Sequence, residues 1–477
     1  MTRRTKIVAT IGPASDRPDV LDDLIRAGTD VVRLNLSHGP IESHLERLAL
    51  VRAAAERVGR PVGVLADLPG PKVRAGRFPE GGVALAAGSF VEIRPGNSTS
   101  DAGTISVDYD TLLDDLAVGD RVIVGDGAIS MRITEVGRDA AEAMIETGGR
   151  TQGRPGVHLS SERLRLASPT DEDLVLAETV AAAGVEFVAV SFVRAAVDIE
   201  QVRAVVGDRA ELVAKIETSA ALSNLNEIIH AADAIMVARG DLGIDCPLED
   251  VPHLQKSIVR QCVEYGIPVI TATQMLESMV TAPSPTRAEV SDIANAVFDG
   301  TDALMLSGET AIGHDPVLTV STMGSVAERA EAEAHYRQWA ARLGRVQRER
   351  WDSVSDQVTA ALTHAASQAA EDLDASAILC CTSSGRTAKA MARFRPRTPL
   401  VALSPNVRTV NALALSWGVD PLGVGTFAST DEIVWYAVET AVRRGRIDHG
   451  DTVVVLAGSP DRAAGTAADV MRIVEVT

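Results

Sequence analysis

At 477 residues the chain is long enough for about three domains with ample core, and 46% hydrophobic with 23% charged residues is the balance of a folded globular protein. Lys and Arg number 46 against 65 Asp and Glu, a formal charge of −19, which argues against a nucleic-acid partner or an acidic membrane surface. Anions would have to be met by local Arg or Lys, backbone N–H groups or a metal. The cysteines Cys246, Cys262, Cys380 and Cys381 show no ligand spacing and read as buried free thiols of a reducing compartment. Arg3-Arg4 is followed by a β-like run rather than an apolar signal core, and no stretch is long enough to span a bilayer, so a cytoplasmic protein without membrane attachment is expected.

In chain order, the first strand is predicted at 6–11 (KIVATI), closed by Gly12-Pro13, and a helix near 20–27 leads to a second strand at 30–36 (DVVRLNL). A helix at about 41–58 precedes a third strand at 61–68 (PVGVLADL). From about 71 to 166 the pattern changes to short alternating strands, with turns at Glu80-Gly81-Gly82, Val118-Gly119-Asp120 and Gly125-Asp126-Gly127, the mark of an all-β insertion. The βα rhythm resumes with a helix at 170–183 and strands at 187–192, 211–217, 234–239, 268–273 and 303–307. Continuous apolar strands of this kind belong to a parallel sheet covered on both faces. Roughly eight β/α units over about 240 residues fit a TIM (β/α)8 barrel. A doubly wound sheet is disfavoured because nearly every strand, not only those at one switch point, ends in polar residues. A polar stretch near 337–353 reads as a helical linker, followed by an α/β domain with a helix at about 354–371 and strands at 377–381, 400–403, 451–456 and 471–476. The expected organisation is a barrel (1–70 and 167–340) with an inserted small β-barrel lid domain (71–166) and a C-terminal α/β regulatory domain (341–477).

The polar strand ends are Arg33, Asn35 and Ser37; Asp67; Ser191; Lys215 and Glu217; Asp241; Thr273; and Ser307 with Glu309. A closed barrel gathers them at one mouth, where catalytic groups are expected. Lys215 and Glu217 stand two apart on a strand and so share a face. The alternative for this pair taken alone is a solvated ion pair at a strand end. Glu217 and Asp241 offer oxygen ligands suited to Mg²⁺ or Mn²⁺, and Gly240-Asp241 begins a turn whose N–H groups could receive a carboxylate or phosphate. With Arg33 and Lys215 as fixed cations, this is the arrangement that phosphoryl transfer requires. No Gly-x-x-x-x-Gly-Lys-Ser/Thr is present, so a nucleotide would bind without a P-loop. An inserted domain beside the mouth makes a natural lid.

These residues resemble the pyruvate kinase family over almost the whole chain. The resemblance is carried by TKIVATIGPAS (5–15), VVRLNLSHG (31–39), IMVARGDLGI (235–244), TATQMLESM (271–279), PTRAEVSDIANAV (285–297) and MLSGETA (305–311). It implies transfer of phosphate from phosphoenolpyruvate to ADP, giving pyruvate and ATP. It further implies that Arg33 and Lys215 contact the transferring phosphoryl group, with Lys215 also stabilising the enolate, and that Glu217 and Asp241 ligate the metal. Thr273 would lie at the substrate carboxylate with the backbone at Gly240 and Asp241, and Thr273 and Ser307 match positions implicated in proton delivery. His38, Arg74 and Asn35 match nucleotide-side positions, and Asp126 matches a lid acid. A homotetramer, with interfaces through the barrel and C-terminal domains, is implied on the same ground.

Many relatives hold a monovalent cation with residues matching Asn35, Ser37, Asp67 and the Leu68 carbonyl, beside a Glu. Here Lys72 replaces that Glu, so the chain is similar to the potassium-independent bacterial branch, the Lys72 ammonium standing in for K⁺. Arg154-Pro155-Gly156 sits where relatives often carry two lysines. In the C-terminal domain, Thr382, Ser383, Ser384, Gly385, Arg386 and Thr387 follow a strand and precede a helical run from Ala388, which by itself is an N-cap or a phosphate cradle. In the family the matching loop binds a phosphorylated allosteric effector. Ser383 where some fructose-bisphosphate binders have Lys, and Gly458-Ser459-Pro460-Asp461 without their Trp and Arg, favour AMP or a sugar monophosphate. The rival readings are another Mg²⁺-dependent barrel enzyme of phosphoenolpyruvate or pyruvate enolates, and a catalytically inactive metabolite sensor. The intact set Arg33, Lys215, Glu217, Asp241 and Thr273 speaks against the second.

Overall fold

The computed structural model describes residues 3–125, 129–159, 167–334, 343, 354–458 and 468–477. Eight parallel strands close a barrel in sequential order: β1 (Lys6–Thr10), β2 (Val31–Asn35), β3 (Gly63–Asp67), β4 (Phe187–Val190), β5 (Glu211–Ile216), β6 (Ala234–Ala238), β7 (Val269–Ala272) and β8 (Ala303–Leu306). Alternate residues of each strand face inward or toward the surrounding helices. The inward set includes Val8, Val31, Leu65, Phe187, Ala189, Val213, Met236, Ile270 and Met305, which pack as one buried cluster. The outward set, with Ile7, Val32, Val64, Val188 and Leu212, packs against the helices. The same alternation carried one step further places Thr10, Arg33, Asp67, Ser191, Lys215 and Ser307 in line with the inward rows, at the C-terminal mouth.

Between β3 and β4 the chain forms the inserted unit. Its main sheet has six strands, in the order Val157–His158, Arg121–Val124, Ile129–Val136, Ala141–Thr147, Phe90–Pro95 and Thr104–Val107, and a two-stranded sheet joins Phe78–Leu85 to Gly149–Gly153. Its apolar residues form a separate core that includes Ile93, Val107, Met131 and Ile145. The turn at Gly125-Asp126-Gly127 falls partly on residues 126–128, outside the described residues.

The C-terminal unit is a five-stranded sheet of β9 (Ala377–Cys381), β10 (Leu400–Ser404), β11 (Val419–Gly423), β12 (Thr452–Ala457) and β13 (Val470–Glu475), in the order β11-β10-β9-β12-β13 with only β13 antiparallel. Strand β11 was not anticipated, and the structure tolerates Pro421 because the strand pairs only with β10 at the sheet edge. The helix after β9 begins at Arg386, two residues before the expected Ala388. Ala412, Ala414 and Leu415 pack into the inward-facing barrel cluster, so the C-terminal unit closes the floor of the barrel. The predicted linker lies outside the described residues apart from 343, as do Ser459, Pro460 and Asp461. Among the described residues no helix is long and apolar enough to cross a membrane. Cys246, Cys262 and Cys380 are buried free thiols and Cys381 is half-buried.

Candidate active site

The inward rows end in a hydrogen-bonded polar layer just above the apolar barrel interior. Lys215 on β5 directs its ammonium to Ser191 Oγ at 2.7 Å, Glu217 Oε1 at 3.0 Å and Asp67 Oδ1 at 3.2 Å. Arg33 on β2 donates from Nε to Asp67 Oδ2 at 2.7 Å and from Nη1 to Thr10 Oγ1 at 3.1 Å. Asp67, only 1% exposed, is therefore the shared counterion of two cations. Burial works to raise its pKa, but Lys215 and Arg33 outweigh burial and hold the carboxyl below its ordinary value. Burial likewise pulls the Lys215 pKa down, and Asp67 and Glu217 outweigh it, so the ammonium stays charged. The solvated ion pair left open by the sequence is thus a buried network.

Glu217 differs. Burial pushes its carboxyl above the ordinary range, and the nearby Asp241 adds to the push against Lys215 and the Phe192 N–H, which donates to Glu217 Oε2 at 2.7 Å. A buried carboxylate raised by a neighbouring carboxylate is stabilised by a further cation, so the pair fits a hard divalent ion completed by substrate and water. Among the described residues no group of three or more His, Cys, Asp and Glu is arranged to hold a metal. His158, to which the sequence assigned no role, brings Nε2 from the inserted unit to 3.9 Å from Asp241 Oδ1; a lone histidine in a short strand carries no signal for such a contact.

Gly240 and Asp241 belong to a short helix, Arg239–Asp245, rather than the expected turn. The Gly240 N–H is engaged by Thr273 Oγ1 at 2.9 Å, while the Thr273 hydroxyl donates to the Ala272 carbonyl at 2.7 Å. Thr273 and Gln274 have φ of 69° and 56°, a left-handed backbone that is costly for such residues. Arg239 holds it, donating to the Ala272 and Thr273 carbonyls at 3.2 and 2.6 Å. Ser307, at the end of β8, donates its N–H to Glu309 Oε2 at 2.7 Å, and Glu309 Oε1 accepts from Leu276 N at 3.1 Å, which ties the ends of β7 and β8 together.

A cavity of about 900 Å³ separates the barrel mouth from the inserted unit. Arg33, Asn35, Lys215, Glu217 and Asp241 line it from below, with Ser37, His38, Lys72 and Arg74 along one side and Arg154, Pro155 and Gly156 across it. Gly240, Thr273 and Ser307 are partly exposed but are not among its lining residues. Burial, then Lys72, Arg74 and Arg33, lower the His38 pKa, as expected of an imidazole among cations. Asn35 Oδ1 accepts from the Ser37 N–H at 3.2 Å, and the Leu68 carbonyl accepts from Ser191 Oγ at 2.7 Å. Asp126 lies outside the described residues.

In the C-terminal unit, Ser383, Ser384 and Arg386 open on a second cavity of about 950 Å³, shared with the floor of the barrel and lined also by Arg203, Lys389 and Arg408. Thr382 Oγ1 accepts from the Gly385 N–H at 2.9 Å and Thr387 is buried, so these members of the loop shape it rather than face the cavity. Lys389 pairs with Glu211, at the start of β5, at 2.8 Å.

A family model for the pyruvate kinase barrel domain matches residues 2–320, and one for the pyruvate kinase alpha/beta domain matches residues 360–474. The chain is 41% identical over 472 residues to a pyruvate kinase of Geobacillus stearothermophilus, covering 98% of this chain and 79% of the relative. It is 40% identical over 476 residues to a pyruvate kinase of Methylorubrum extorquens, covering 100% and 98%, and 40% identical over 475 residues to pyruvate kinase 2 of a Synechocystis strain, covering 98% and 78%. The chain belongs to the pyruvate kinase family of phosphotransferases.

Proposed function

We propose that this enzyme transfers the phosphoryl group of phosphoenolpyruvate to ADP, giving pyruvate and ATP, at the cavity between barrel and lid. The observation that carries this reading is the Lys215 ammonium, held among Asp67, Glu217 and Ser191 beside Arg33 and facing that cavity. Arg33 and Lys215 present two oriented cations to the phosphoryl oxygens. Their shared contact with Asp67 holds them in place before substrate arrives, which is where electrostatic catalysis gains over water. Lys215 also stands to stabilise the enolate oxygen as the phosphoryl group departs. Glu217 and Asp241 would hold a Mg²⁺ or Mn²⁺ ion, which would supply charge neutralisation to the phosphoryl group.

The substrate carboxylate is assigned to Thr273 and the backbone at Gly240 and Asp241, where it would take over the Gly240 N–H from the Thr273 hydroxyl. Thr273 and Ser307 are assigned to proton delivery. His38, Arg74 and Asn35, with Asp126, are assigned to the nucleotide. Asn35, Ser37, Asp67 and Leu68 would form the monovalent-cation site of relatives. Here the Asp67 carboxylate is engaged by Arg33 and Lys215 and the Leu68 carbonyl by Ser191, which supports a rate independent of K⁺ with Lys72 supplying charge nearby. Loop 382–387, with the cations around its cavity, supports regulation by AMP or a sugar monophosphate. A cytoplasmic homotetramer completes the reading. The deciding experiment is a coupled assay of pyruvate formation from phosphoenolpyruvate, with and without ADP and Mg²⁺. Turnover that needs both is expected; pyruvate release without ADP at the full rate would overturn the assignment.

A further inference from the structure

The turn Ser191-Phe192, at the end of β4, belongs to neither the metal pair nor the cation pair, yet it touches both. On the site side, Ser191 Oγ accepts from the Lys215 ammonium at 2.7 Å, and the Phe192 N–H donates to Glu217 Oε2 at 2.7 Å. Phe192 sits at φ 54°, a conformation that a bulky residue keeps only when its surroundings enforce it.

The enforcing surroundings are the two strands of chain that lead into and out of the lid. On the outgoing strand, the Leu68 carbonyl accepts from Ser191 Oγ at 2.7 Å. Two residues on, Gly70 is packed so closely that an added Cβ would lie 2.8 Å from Ser191 Cβ and 2.9 Å from the Phe192 ring, and its φ of +68° is itself a glycine conformation. On the returning strand, Ser168, 3% exposed, donates from Oγ to the Ser191 carbonyl at 2.7 Å. Asp173 fastens the two strands to each other: Oδ1 accepts from the Gly70 N–H at 3.0 Å, and Oδ2 accepts from the Thr170 N–H at 2.9 Å.

We propose that Ser191 and Phe192 are positioning residues through which the lid's two hinge strands set the placement of Lys215 and Glu217. The hydroxyl of Ser191 has one proton, and its short contact is to the Leu68 carbonyl at 2.7 Å, against 3.4 Å to Asp67 Oδ1. With the proton on Leu68, a lone pair is turned toward Lys215, and the Leu68 carbonyl thereby orients the acceptor that the ammonium meets. The Phe192 N–H is aimed at Glu217 by the same turn. A hinge strand that shifts pulls on the turn through the Leu68 and Ser168 hydrogen bonds to Ser191, and Gly70 leaves no room for a side chain against Ser191 or Phe192. Ser191 therefore acts on the phosphoryl and enolate side, and Phe192 on the metal side. This inference rests on the roles given above to Lys215 and Glu217.

The test compares Ser191→Ala and Gly70→Ala with the wild-type enzyme, reading kcat, KM for phosphoenolpyruvate and ADP, and, without substrates, the dissociation constant of Mn²⁺ followed by its electron paramagnetic resonance signal. Second-layer hydrogen bonds of this kind are worth about 10–100-fold. Ser191→Ala should lower kcat by about that factor, with KM for ADP and Mn²⁺ affinity within about twofold of wild type, because the Oγ contacts to Lys215 and Leu68 are lost while the Phe192 N–H stays on Glu217. Gly70→Ala should lower kcat and also weaken Mn²⁺ by about tenfold or more, because it displaces Phe192 as well. A Ser191→Ala enzyme with wild-type kcat, or one that loses Mn²⁺ affinity in step with kcat, overturns the proposal. So does a Gly70→Ala enzyme unchanged in both readouts. If instead Lys215→Met retains turnover, the assignment beneath the proposal has failed, which the same assay shows separately.

Discussion

Arg395 and Asp302 join the C-terminal domain to the barrel by a two-pronged ion pair, Nη1 to Oδ1 at 3.0 Å and Nη2 to Oδ2 at 3.1 Å, with side-chain exposures of 1% and 6%. Asp302 also accepts the N–H of Trp417 on the domain side and of Val269, at the start of β7, both at 3.1 Å. One carboxylate thus links the floor of the barrel to the neighbouring domain. Arg395→Met would leave that charge buried without its cation, a change that costs about 3–5 kcal/mol. An unfolding midpoint lowered by about 5 °C or more in a thermal melt is expected, and an unchanged midpoint would show that the junction is not held there.

Asp67 offers the same test at the mouth. Asp67→Asn keeps the shape and removes the counterion of Arg33 and Lys215, so both stability and turnover should fall, kcat by about tenfold or more. The pH dependence has a definite sign. Because the carboxyl is held below its ordinary 3.8 in the folded protein, the unfolded chain binds more protons as pH falls below that value. The pair therefore stabilises the fold fully above the ordinary value and loses its contribution as pH drops through the depressed one. Thermal melts should accordingly show wild type and Asp67→Asn converging as pH falls below about 4, and a constant gap would contradict the ion-pair account.

Replacing Lys215 by Met removes the cation to which the proposed reading assigns the phosphoryl group and the enolate. Turnover should fall by about 10³-fold or more, while circular dichroism reports an unaltered fold. Measurable phosphoryl transfer at even a tenth of the wild-type rate would reassign the role.

The Lys72 reading is open to a reciprocal experiment. Wild-type enzyme in buffer free of potassium and ammonium should run within about twofold of its rate in KCl, since protein cations already occupy this region. Lys72→Glu should acquire a requirement for KCl of about tenfold or more. Dependence of the wild type on KCl for most of its rate ends the hypothesis.

For the C-terminal loop, AMP or glucose 6-phosphate should activate the enzyme. Arg386→Ala should raise the half-activating concentration by about tenfold, the worth of one charge-assisted contact to phosphate. Activation by micromolar fructose bisphosphate alone, with AMP and glucose 6-phosphate inert, would point to a different effector.

The alternation of Val213, Lys215 and Glu217, repeated in Val31, Arg33 and Asn35, was sufficient to place the side chains of each strand on one shared face, because the period of a strand is a property of its backbone. The parallel barrel, the inserted β unit and the all-oxygen character of the Glu217–Asp241 pair were legible on the same local grounds, and the long motifs pointed to the family. Contacts between segments distant in sequence were not legible. The occupied hydroxyl of Thr273, the approach of His158 to Asp241, the edge strand built on Val419-Asp420-Pro421, and the cavity that loop 382–387 shares with Arg203 each depend on which surfaces meet. Ser191 was visible only as one more polar strand end. Its hold on Lys215 and on both hinge strands arises because barrel closure brings β3, β4 and β5 side by side, and the meeting of surfaces, unlike strand alternation, is decided by packing over the whole chain.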